Sequence, residues 1–450
     1  MIAAAHKSSG KTVVSTGLAA SLHSSGLSVQ TFKKGPDYID PMWLSAASGN
    51  SCYNLDFNGM SEVEIITLFA QKRDYAKISL VEGNKGLYDG VKLDGSDSNA
   101  QLAKLLNIPV ILVIDANGMT RGIAPLLAGY QAFDYEVNIA GVILNKVGGS
   151  RHEEKLVAAI NAYTDIEVIG SIWRNKLLDI GERHLGLTTP SESEGLRNKI
   201  ADFDKIIANS VDLSRLIEIA STAQEPKIPL PKLALNNPKD ITIGIAKDNA
   251  FGFYYEDDLE VFAQHGVKLV EFDCLNDNSL PKNLDGIFIG GGFPETQMQQ
   301  LAANKSLLHE IKSIIEAGLP TYAECGGLMY LCKSIEWKDQ KYDMVGIIDA
   351  NALMNNRPQG RGYVKFKDQK NHPWGRQNGQ INAHEFHYAS LENRAPTTKY
   401  GRKISRGHGI DGQNDAIIIH NLVAGFCHLR NSKDNPWVKQ FVDFVKSKKS

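Results

Sequence analysis

Three stretches of this 450-residue chain carry side chains whose types and spacing could do chemistry. Near the start, Ala5-His6-Lys7-Ser8-Ser9-Gly10-Lys11-Thr12 follows an apolar run and precedes Val13-Val14-Ser15-Thr16-Gly17-Leu18-Ala19-Ala20, a predicted helix. That order suits a nucleotide phosphate. Loop N–H groups and the helix N-terminus cradle the anion, Lys11 reaches the β/γ-phosphates, and the Thr12 hydroxyl ligates Mg²⁺. The usual pattern opens on glycine, where Ala5 stands here, so the stretch by itself also fits a helix start with an exposed lysine. Lys33-Lys34-Gly35-Pro36-Asp37-Tyr38-Ile39-Asp40-Pro41 then holds two acids three residues apart in a Gly/Pro-bounded loop. Val81-Glu82-Gly83 and Gly86-Leu87-Tyr88-Asp89-Gly90 add further carboxylates. Acids at the C-terminal ends of strands lie where an α/β sheet presents ligands, and Mg²⁺ bound with phosphates takes one or two carboxylates. Each acid alone could be a turn residue or a cap. Beside a phosphate loop, the set reads as a metal and phosphate site.

The third stretch is Tyr322-Ala323-Glu324-Cys325-Gly326-Gly327-Leu328-Met329-Tyr330, which follows a predicted strand entry at Gly318-Leu319-Pro320-Thr321. A cysteine at a sharp strand-to-helix turn is exposed, and the helix N-terminus favours thiolate. Gly326 and Gly327 permit the tight backbone. Upstream, Gly290-Gly291-Gly292-Phe293-Pro294-Glu295 ends another strand with bare N–H groups suited to an oxyanion, Gly291 and Gly292 foremost. Downstream, Ala424-Gly425-Phe426-Cys427-His428 supplies a histidine able to act as base. Cys52, Cys274, Cys332 and Cys427 read as small buried hydrophobes. In Ala383-His384-Glu385-Phe386-His387-Tyr388, strand alternation keeps two imidazoles and a carboxylate from converging on one metal, so a structural or substrate-facing role is expected.

The elements that must position these groups alternate between strand and helix, the pattern of parallel α/β sheets. Ile78-Ser79-Leu80-Val81, Val110-Ile111-Leu112-Val113-Ile114 and Ile139-Ala140-Gly141-Val142-Ile143-Leu144 are short, apolar and β-branched, as strands buried on both faces should be. Another strand is predicted over 27–32, and helices over 99–106 and 152–163. Four prolines, Pro226, Pro229, Pro231 and Pro238, then make a stiff connector. The α/β rhythm restarts at Ile241-Thr242-Ile243-Gly244-Ile245-Ala246 and Gly286-Ile287-Phe288-Ile289-Gly290, while 335–415 looks richer in strand and loop. The predicted fold class is α/β, with two domains each built on a mostly parallel sheet with helices on both faces. They span 1–223 and 241–450, joined by a Pro-rich linker at 224–240.

Lys plus Arg number 49 and Asp plus Glu 51, a net charge of −2, which argues against nucleic acid as a partner. No apolar run approaches the ~18 residues of a membrane span. The first residues lack a basic region and a cleavage site, so no signal peptide is expected. Five cysteines without paired metal spacing fit a reducing, cytoplasmic setting. Whether the chain pairs as a homodimer is left open.

Lys-x-Gly-Pro-Asp-Tyr-Ile-Asp-Pro, Asn54-Leu55-Asp56, Val81-Glu82-Gly83 and Gly86-Leu87-Tyr88-Asp89-Gly90 resemble the cobyrinic acid a,c-diamide synthase family. So do Gly141-Val142-Ile143-Leu144-Asn145-Lys146-Val147 and Glu182-Arg183-His184-Leu185-Gly186-Leu187. The later segments around Gly291, Cys325 and His428 resemble a class I glutamine amidotransferase domain. The resemblance implies a dethiobiotin-synthetase-like ATP domain joined to a glutaminase domain, amidating acetate side chains of a tetrapyrrole-derived macrocycle. It implies that Lys11 and Thr12 serve ATP and Mg²⁺, that Glu82 and Asp37 lie near the metal, and that Asn145 lies near the adenine. Asp40 and Asp89 would sit where carboxylate, phosphate and ammonia meet. Glutamine would be the ammonia source, through a Cys325–His428 pair with no identifiable third acid. A carboxylate does not react with ammonia at neutral pH, so the γ-phosphoryl of ATP would first make an acyl phosphate. Free ammonia would protonate in bulk water, so the glutaminase site should open toward the synthetase site.

The sequence departs from the family pattern at Met42-Trp43-Leu44-Ser45-Ala46-Ala47, which lacks a histidine, at Asn84-Lys85, and at Leu429-Arg430-Asn431 after His428. These departures leave ATP and glutamine chemistry intact and put the acceptor in question, with siroheme or sirohydrochlorin as the alternative to a cobyrinic acid. A P-loop ATPase switch with a non-catalytic glutaminase-like domain is a further alternative, against which the intact Cys325 and His428 count.

Overall fold

The computed structural model describes residues 1–180, 182–183, 186–187, 195–224, 240–375 and 379–449. It divides into two units, Met1–Lys232 and Leu233–Ser450. Residues 225–239 of the expected linker, and His184 and Leu185 of the 182–187 motif, lie outside the described residues.

The first unit holds strands β1 (Ile2–Ala4), β2 (Val29–Lys34), β3 (Tyr53–Leu55), β4 (Ile78–Glu82), β5 (Val110–Asp115), β6 (Ile139–Val147) and β7 (Val168–Trp173). They form one sheet in the order β3-β2-β4-β1-β5-β6-β7, with every pairing parallel. Alternation along β5 shows why such strands read as continuous apolar runs. Ile111 and Val113 enter one core with Val14 and Leu18, while Val110, Leu112 and Ile114 enter the opposite core with Leu127, Leu156 and Ile160. The strand order reverses about β1, and a ligand crevice lies outside the carboxyl ends of the strands at such a switch point. There β1 delivers the phosphate loop and helix α1 (Lys11–Ser24), β2 delivers the acid loop and helix α2 (Ile39–Ser48), and β4 ends on Glu82. Helix Asn99–Leu106 falls where the pattern predicts it, and Ser150–Tyr163 starts two residues earlier than expected. Glu182–Arg183 (β8) and Gly186–Leu187 (β9) form a short antiparallel ladder.

The second unit continues with β10 (Ile241–Ala246), β11 (Phe251–Phe253), β12 (Val267–Phe272), β13 (Gly286–Ile289), β14 (Gly291–Gly292) and β15 (Thr321–Glu324). Next come β16 (Cys332–Trp337), β17 (Gln340–Asp343), β18 (Ile348–Met354), β19 (Gly360–Asp368) and β20 (Ile381–His387). Last are β21 (Ala389–Glu392), β22 (Lys399–Arg406), β23 (Asn414–Ile419) and β24 (Leu422–Gly425). The main sheet runs β12-β10-β13-β15-β24-β23-β22-β19-β20, beside a β11-β14 ladder and a small sheet β17-β16-β18-β21. The main sheet is mixed where a mostly parallel one was expected. Its pairings from β12 to β24 are parallel, and those from β24 to β20 are antiparallel. At the β23–β24 pair the reason is connection length. Only two residues separate β23 from β24, and a parallel crossover needs about a dozen. Under this sheet, Trp437, Phe441 and Val445 of helix Trp437–Lys448 share a core with Phe288 and Tyr322, whose rings stack at 5.5 Å. Among the described residues no helix is long and apolar enough to cross a membrane, and all five cysteines are buried and free.

Candidate active sites

The phosphate loop is fastened from several sides. Ser9 Oγ donates to the His6 carbonyl at 2.8 Å, and Asn145 of β6 donates Nδ2 to the Ser9 carbonyl at 2.9 Å. Lys146 Nζ reaches the Ser8 carbonyl at 3.2 Å and Asp115 at 2.8 Å. Gly10 has φ +84°, and a Cβ there would stand 2.2 Å from Asn145 Nδ2, so the position requires glycine. Asn145, expected near the adenine, thus braces the loop itself. Ala5, at the non-glycine first position, turns its carbonyl to the Tyr130 hydroxyl at 2.5 Å. Lys11 opens α1 and is buried. Burial first, then Lys33, presses its ammonium below the ordinary lysine range, against the pull of Glu82, Asp40 and Asp37.

Of the expected acids, Asp40 and Glu82 meet at Thr12, and a lysine joins them. Thr12 Oγ1 lies 3.1 Å from both Asp40 Oδ2 and Glu82 Oε1. Asp40, expected beside the reacting carboxylate, thus shares the Thr12 hydroxyl with Glu82. Asp37, expected at the metal, accepts from the Ile39 and Asp40 amides at 3.0 and 3.1 Å and so starts α2. Desolvation within the loop, then Asp40, pushes Asp37 up to about 7, although its side chain keeps 35% of its surface open. That lysine is Lys33. Its Nζ lies 2.5 Å from Asp40 Oδ2, 2.7 Å from Glu82 Oε1, 3.3 Å from the Gly83 carbonyl and 3.8 Å from Asp37 Oδ2. Burial opposes its charge, yet the three acids outweigh burial and hold it above the lysine range. Burial raises Glu82 despite Lys33, whereas at Asp40 the contact with Lys33 overcomes burial and lowers the carboxyl.

Oxygens of Thr12, Asp40 and Glu82 that meet at one point are the hard donors Mg²⁺ prefers. Glu82 Oε2 is buried with no hydrogen-bond partner, an orphaned acceptor that a cation would satisfy. The donor set therefore fits a nucleotide-bound Mg²⁺. No cluster of three His, Cys, Asp or Glu side chains spaced as a metal cage occurs among the described residues.

Polar side chains clamp the surrounding loops. Buried Asn54 on β3 donates to the Gly35 and Asp37 carbonyls at 2.8 and 2.7 Å, which explains the Asn54-Leu55-Asp56 motif. Asn99 holds the Gly86 carbonyl at 2.6 Å and accepts from the Asn84 amide at 3.0 Å. Lys34, on the opposite face of β2 from Lys33, reaches Asn84 Oδ1 at 3.2 Å. Asp89 is exposed and accepts from the Gly86 amide at 2.9 Å, closing its own turn beside Ala5, whose carbonyl lies 2.6 Å from where a Gly86 Cβ would be.

In the second unit, Cys325 sits between β15 and helix Gly326–Leu331 with φ +48° and ψ −101°. A non-glycine residue in this region is strained, and the surroundings impose it. The Cys325 amide donates to the Gly425 carbonyl at 2.8 Å, and its carbonyl accepts from Met329 at 3.1 Å. Glycines make the turn possible. A Cβ on Gly327 would stand 2.4 Å from the Ile289 carbonyl oxygen, and one on Gly326 would stand 3.0 Å from the Gly292 nitrogen. The Gly292 amide thus lies against the Cys325 turn, where an oxyanion donor belongs. Gly291 admits the base, for a Cβ there would stand 2.6 Å from His428 Cε1.

His428 is buried, feels the charge of Cys325, and lies 3.3 Å from Glu324 Oε2 through Nδ1. Burial disfavours its cation, but Cys325 and Glu324 outweigh burial and raise it to about 10. Glu324 is itself fixed: Tyr322 donates its hydroxyl to Oε1 at 2.6 Å, and the Leu429 amide donates at 2.9 Å. The sequence offered no third acid, yet one stands next to the cysteine. The signal was strand periodicity, since Tyr322 and Glu324 share one face of β15. The 383–388 segment behaves as expected of a structural element. His384 stacks on His428 with ring centroids 4.9 Å apart, Glu385 accepts from the His408 and Gly409 amides, and His387 stacks on Phe426.

Comparisons with known proteins agree with both units. Residues 1–188 match the CobQ/CobB/MinD/ParA nucleotide binding domain, and residues 242–436 match the CobB/CobQ-like glutamine amidotransferase domain. A cobyrinate a,c-diamide synthase of Magnetococcus marinus is 39% identical over 100% of this chain and 97% of its own length. Those of Caldanaerobacter subterraneus and Dehalococcoides mccartyi (strain CBDB1) are 37% and 38% identical, over 98% and 99% of this chain and 97% and 98% of theirs. The chain belongs to the cobyrinate a,c-diamide synthase family of glutamine-hydrolysing amide ligases.

Proposed function

We propose that this protein amidates acetate carboxylates of a tetrapyrrole-derived macrocycle, a cobyrinic acid, using ATP and glutamine. The observation that carries the reading is the Cys325–His428–Glu324 line, an intact glutamine-hydrolysing arrangement in the same chain as a phosphate loop with its acids. Names of full-length relatives supply the acceptor class.

The Cys325 sulfur attacks the glutamine side-chain carbonyl, and the oxyanion is received by backbone N–H groups at Gly291 and Gly292. His428 hands a proton to the leaving ammonia, then takes one from the water that releases glutamate and restores the thiolate. Glu324 keeps Nδ1 oriented and the ring protonated when needed. At the phosphate loop, an acceptor carboxylate oxygen attacks the γ-phosphorus, ADP leaves, and an acyl phosphate forms. Ammonia then attacks the acyl carbon and expels phosphate, leaving the amide. Lys11 neutralises the charge passing to the β-phosphate. Thr12, Asp40 and Glu82 would hold Mg²⁺, which supplies charge neutralisation for the transferring phosphoryl group. Asp89 borders the acceptor carboxylate, Asp37 fixes the acid loop, and Asn145 keeps the loop shaped beneath the nucleotide.

A second acceptor, siroheme or sirohydrochlorin, rests on the departures from the family pattern at Met42-Trp43-Leu44-Ser45-Ala46-Ala47, Asn84-Lys85 and Leu429-Arg430-Asn431. Purified protein with Mg-ATP and glutamine is offered cobyrinic acid, sirohydrochlorin and siroheme separately, and products are weighed by mass spectrometry. Conversion of carboxylic acids to amides in the first arm, needing Cys325 with glutamine but not with ammonium, is expected. Conversion only in the other arms transfers the proposal to them. No conversion in any arm, with nucleotide bound, overturns the ligase reading and leaves an ATPase switch.

A further inference from the structure

Around Thr12 the oxygens a divalent ion would take are already in use. Asp40 Oδ2 and Glu82 Oε1, each 3.1 Å from the Thr12 hydroxyl, are the same two atoms that Lys33 Nζ holds at 2.5 and 2.7 Å. Lys33 is buried within this cluster, with only 2% of its side chain exposed, and the Gly83 carbonyl and Asp37 complete its surroundings. We propose that Lys33 is an exchangeable internal counter-ion, which fills the acid cluster in the nucleotide-free protein and is displaced from Asp40 and Glu82 when the divalent ion enters. This rests on the proposed reading of the cluster as the nucleotide's metal site.

The charges make the exchange necessary. Asp37, Asp40 and Glu82 face two lysines, Lys11 and Lys33, and all five groups interact. A divalent ion added beside a retained ammonium would meet a like charge at contact distance in a buried site, where repulsion is strong. It would also find both carboxylate oxygens taken. Glu82 Oε2, buried and unpartnered, is an acceptor that Lys33 does not use, so this carboxylate can turn to a metal as the ammonium leaves. A polyphosphate reverses the balance by bringing negative charge. Metal alone should therefore bind weakly, and metal with nucleotide tightly. Lys33 sits at the end of β2, so its four-carbon stem allows the head group to move while the strand stays in register with Glu82 of β4.

The probe is Mn²⁺ alone, titrated by electron paramagnetic resonance into nucleotide-free wild type and Lys33→Met. The variant is expected to bind Mn²⁺ at least about tenfold more tightly. Equal or weaker binding overturns the proposal. Because Lys33→Met leaves buried acids uncompensated and its folding is at risk, a second measurement uses the wild type. In protein with ¹³Cε-labelled lysine, the Lys33 resonance, identified by its loss in Lys33→Arg, is expected to move when Mg²⁺ and ADP are added. A resonance that stays fixed while the metal binds overturns the exchange. Amide formation by the same preparation separates the two readings: its absence contradicts the proposed function, and its presence with a static Lys33 contradicts only the exchange.

Discussion

Around Thr12 the groups that matter are charged side chains touching one another, whereas around Cys325 they are mainly backbone. Lys33 Nζ lies 2.5 Å from Asp40 Oδ2 and 2.7 Å from Glu82 Oε1. At Cys325, Gly291, Gly326 and Gly327 each leave space that a methyl group would close, and the nucleophile has a left-handed φ. A site that must accept and release a highly charged ligand is built from parts that can re-pair. A site that must hold one attack geometry is built from parts that cannot move. Substitutions should therefore act differently in the two regions: charge changes decide the first, and volume or orientation decides the second.

The largest effect tests whether the regions are separable. Cys325→Ala should lower glutamine-dependent amidation by more than about a thousandfold while ammonium-dependent amidation continues, read by mass spectrometry of the product. Thr12→Val, which keeps volume and removes the hydroxyl between Asp40 and Glu82, is the converse. Amidation from either nitrogen source should fall about a hundredfold, with thiol alkylation of Cys325 by a glutamine analogue unchanged.

Glu324→Gln is expected to reduce glutamine hydrolysis about tenfold to a hundredfold. Glu324 helps raise His428 to about 10, so the variant should lose its imidazolium at lower pH, and the alkaline limb of the hydrolysis profile should move down. An unmoved limb would show that Cys325 alone sets the base. The same shift bears on stability. A histidine raised from 6.5 to about 10 on folding contributes stability that is complete below about 6.5 and lost as pH climbs through about 10, which denaturant titrations can follow. The smallest change is in Asn54→Ala, which leaves the Gly35 and Asp37 carbonyls without their donor. It should cost about 1–3 kcal/mol in urea unfolding of the first unit and leave Cys325 alkylation untouched.

Much of the first site was legible because local chemistry fixes it. A glycine with positive φ, a lysine and a hydroxyl after a buried strand leave few alternatives, and Glu82 marks its strand end by charge. In the sequence Lys33 stands out only as part of a motif. Alternation says Lys33 and Lys34 face opposite ways, but which of them enters the acid cluster depends on β2 pairing with β4, a long-range fact. Register likewise hid Asp40, since its position three residues from Asp37 gives no reason to prefer either acid at Thr12. In the second site the elbow and its histidine were readable from glycine context. Glu324 was not, because the histidine that it orients lies 104 residues away and reaches it only once β15 and β24 pair. The antiparallel half of the second sheet was signalled by strand-rich composition over 335–415, though not its order.

Glu324 and Cys325 are consecutive, so a single peptide plane joins the acid to the nucleophile. In an arrangement with three separate anchors, any slippage of three loops degrades alignment; here two segments suffice, one strand end and one returning histidine. The chain that follows His428 is thereby freed from supplying an acid, and it ties Arg430 to Asp257 instead. For anyone transplanting this chemistry onto another scaffold, the graft is a strand ending in Glu followed by Cys-Gly-Gly, one facing imidazole, and the Gly-Gly backbone that receives the oxyanion.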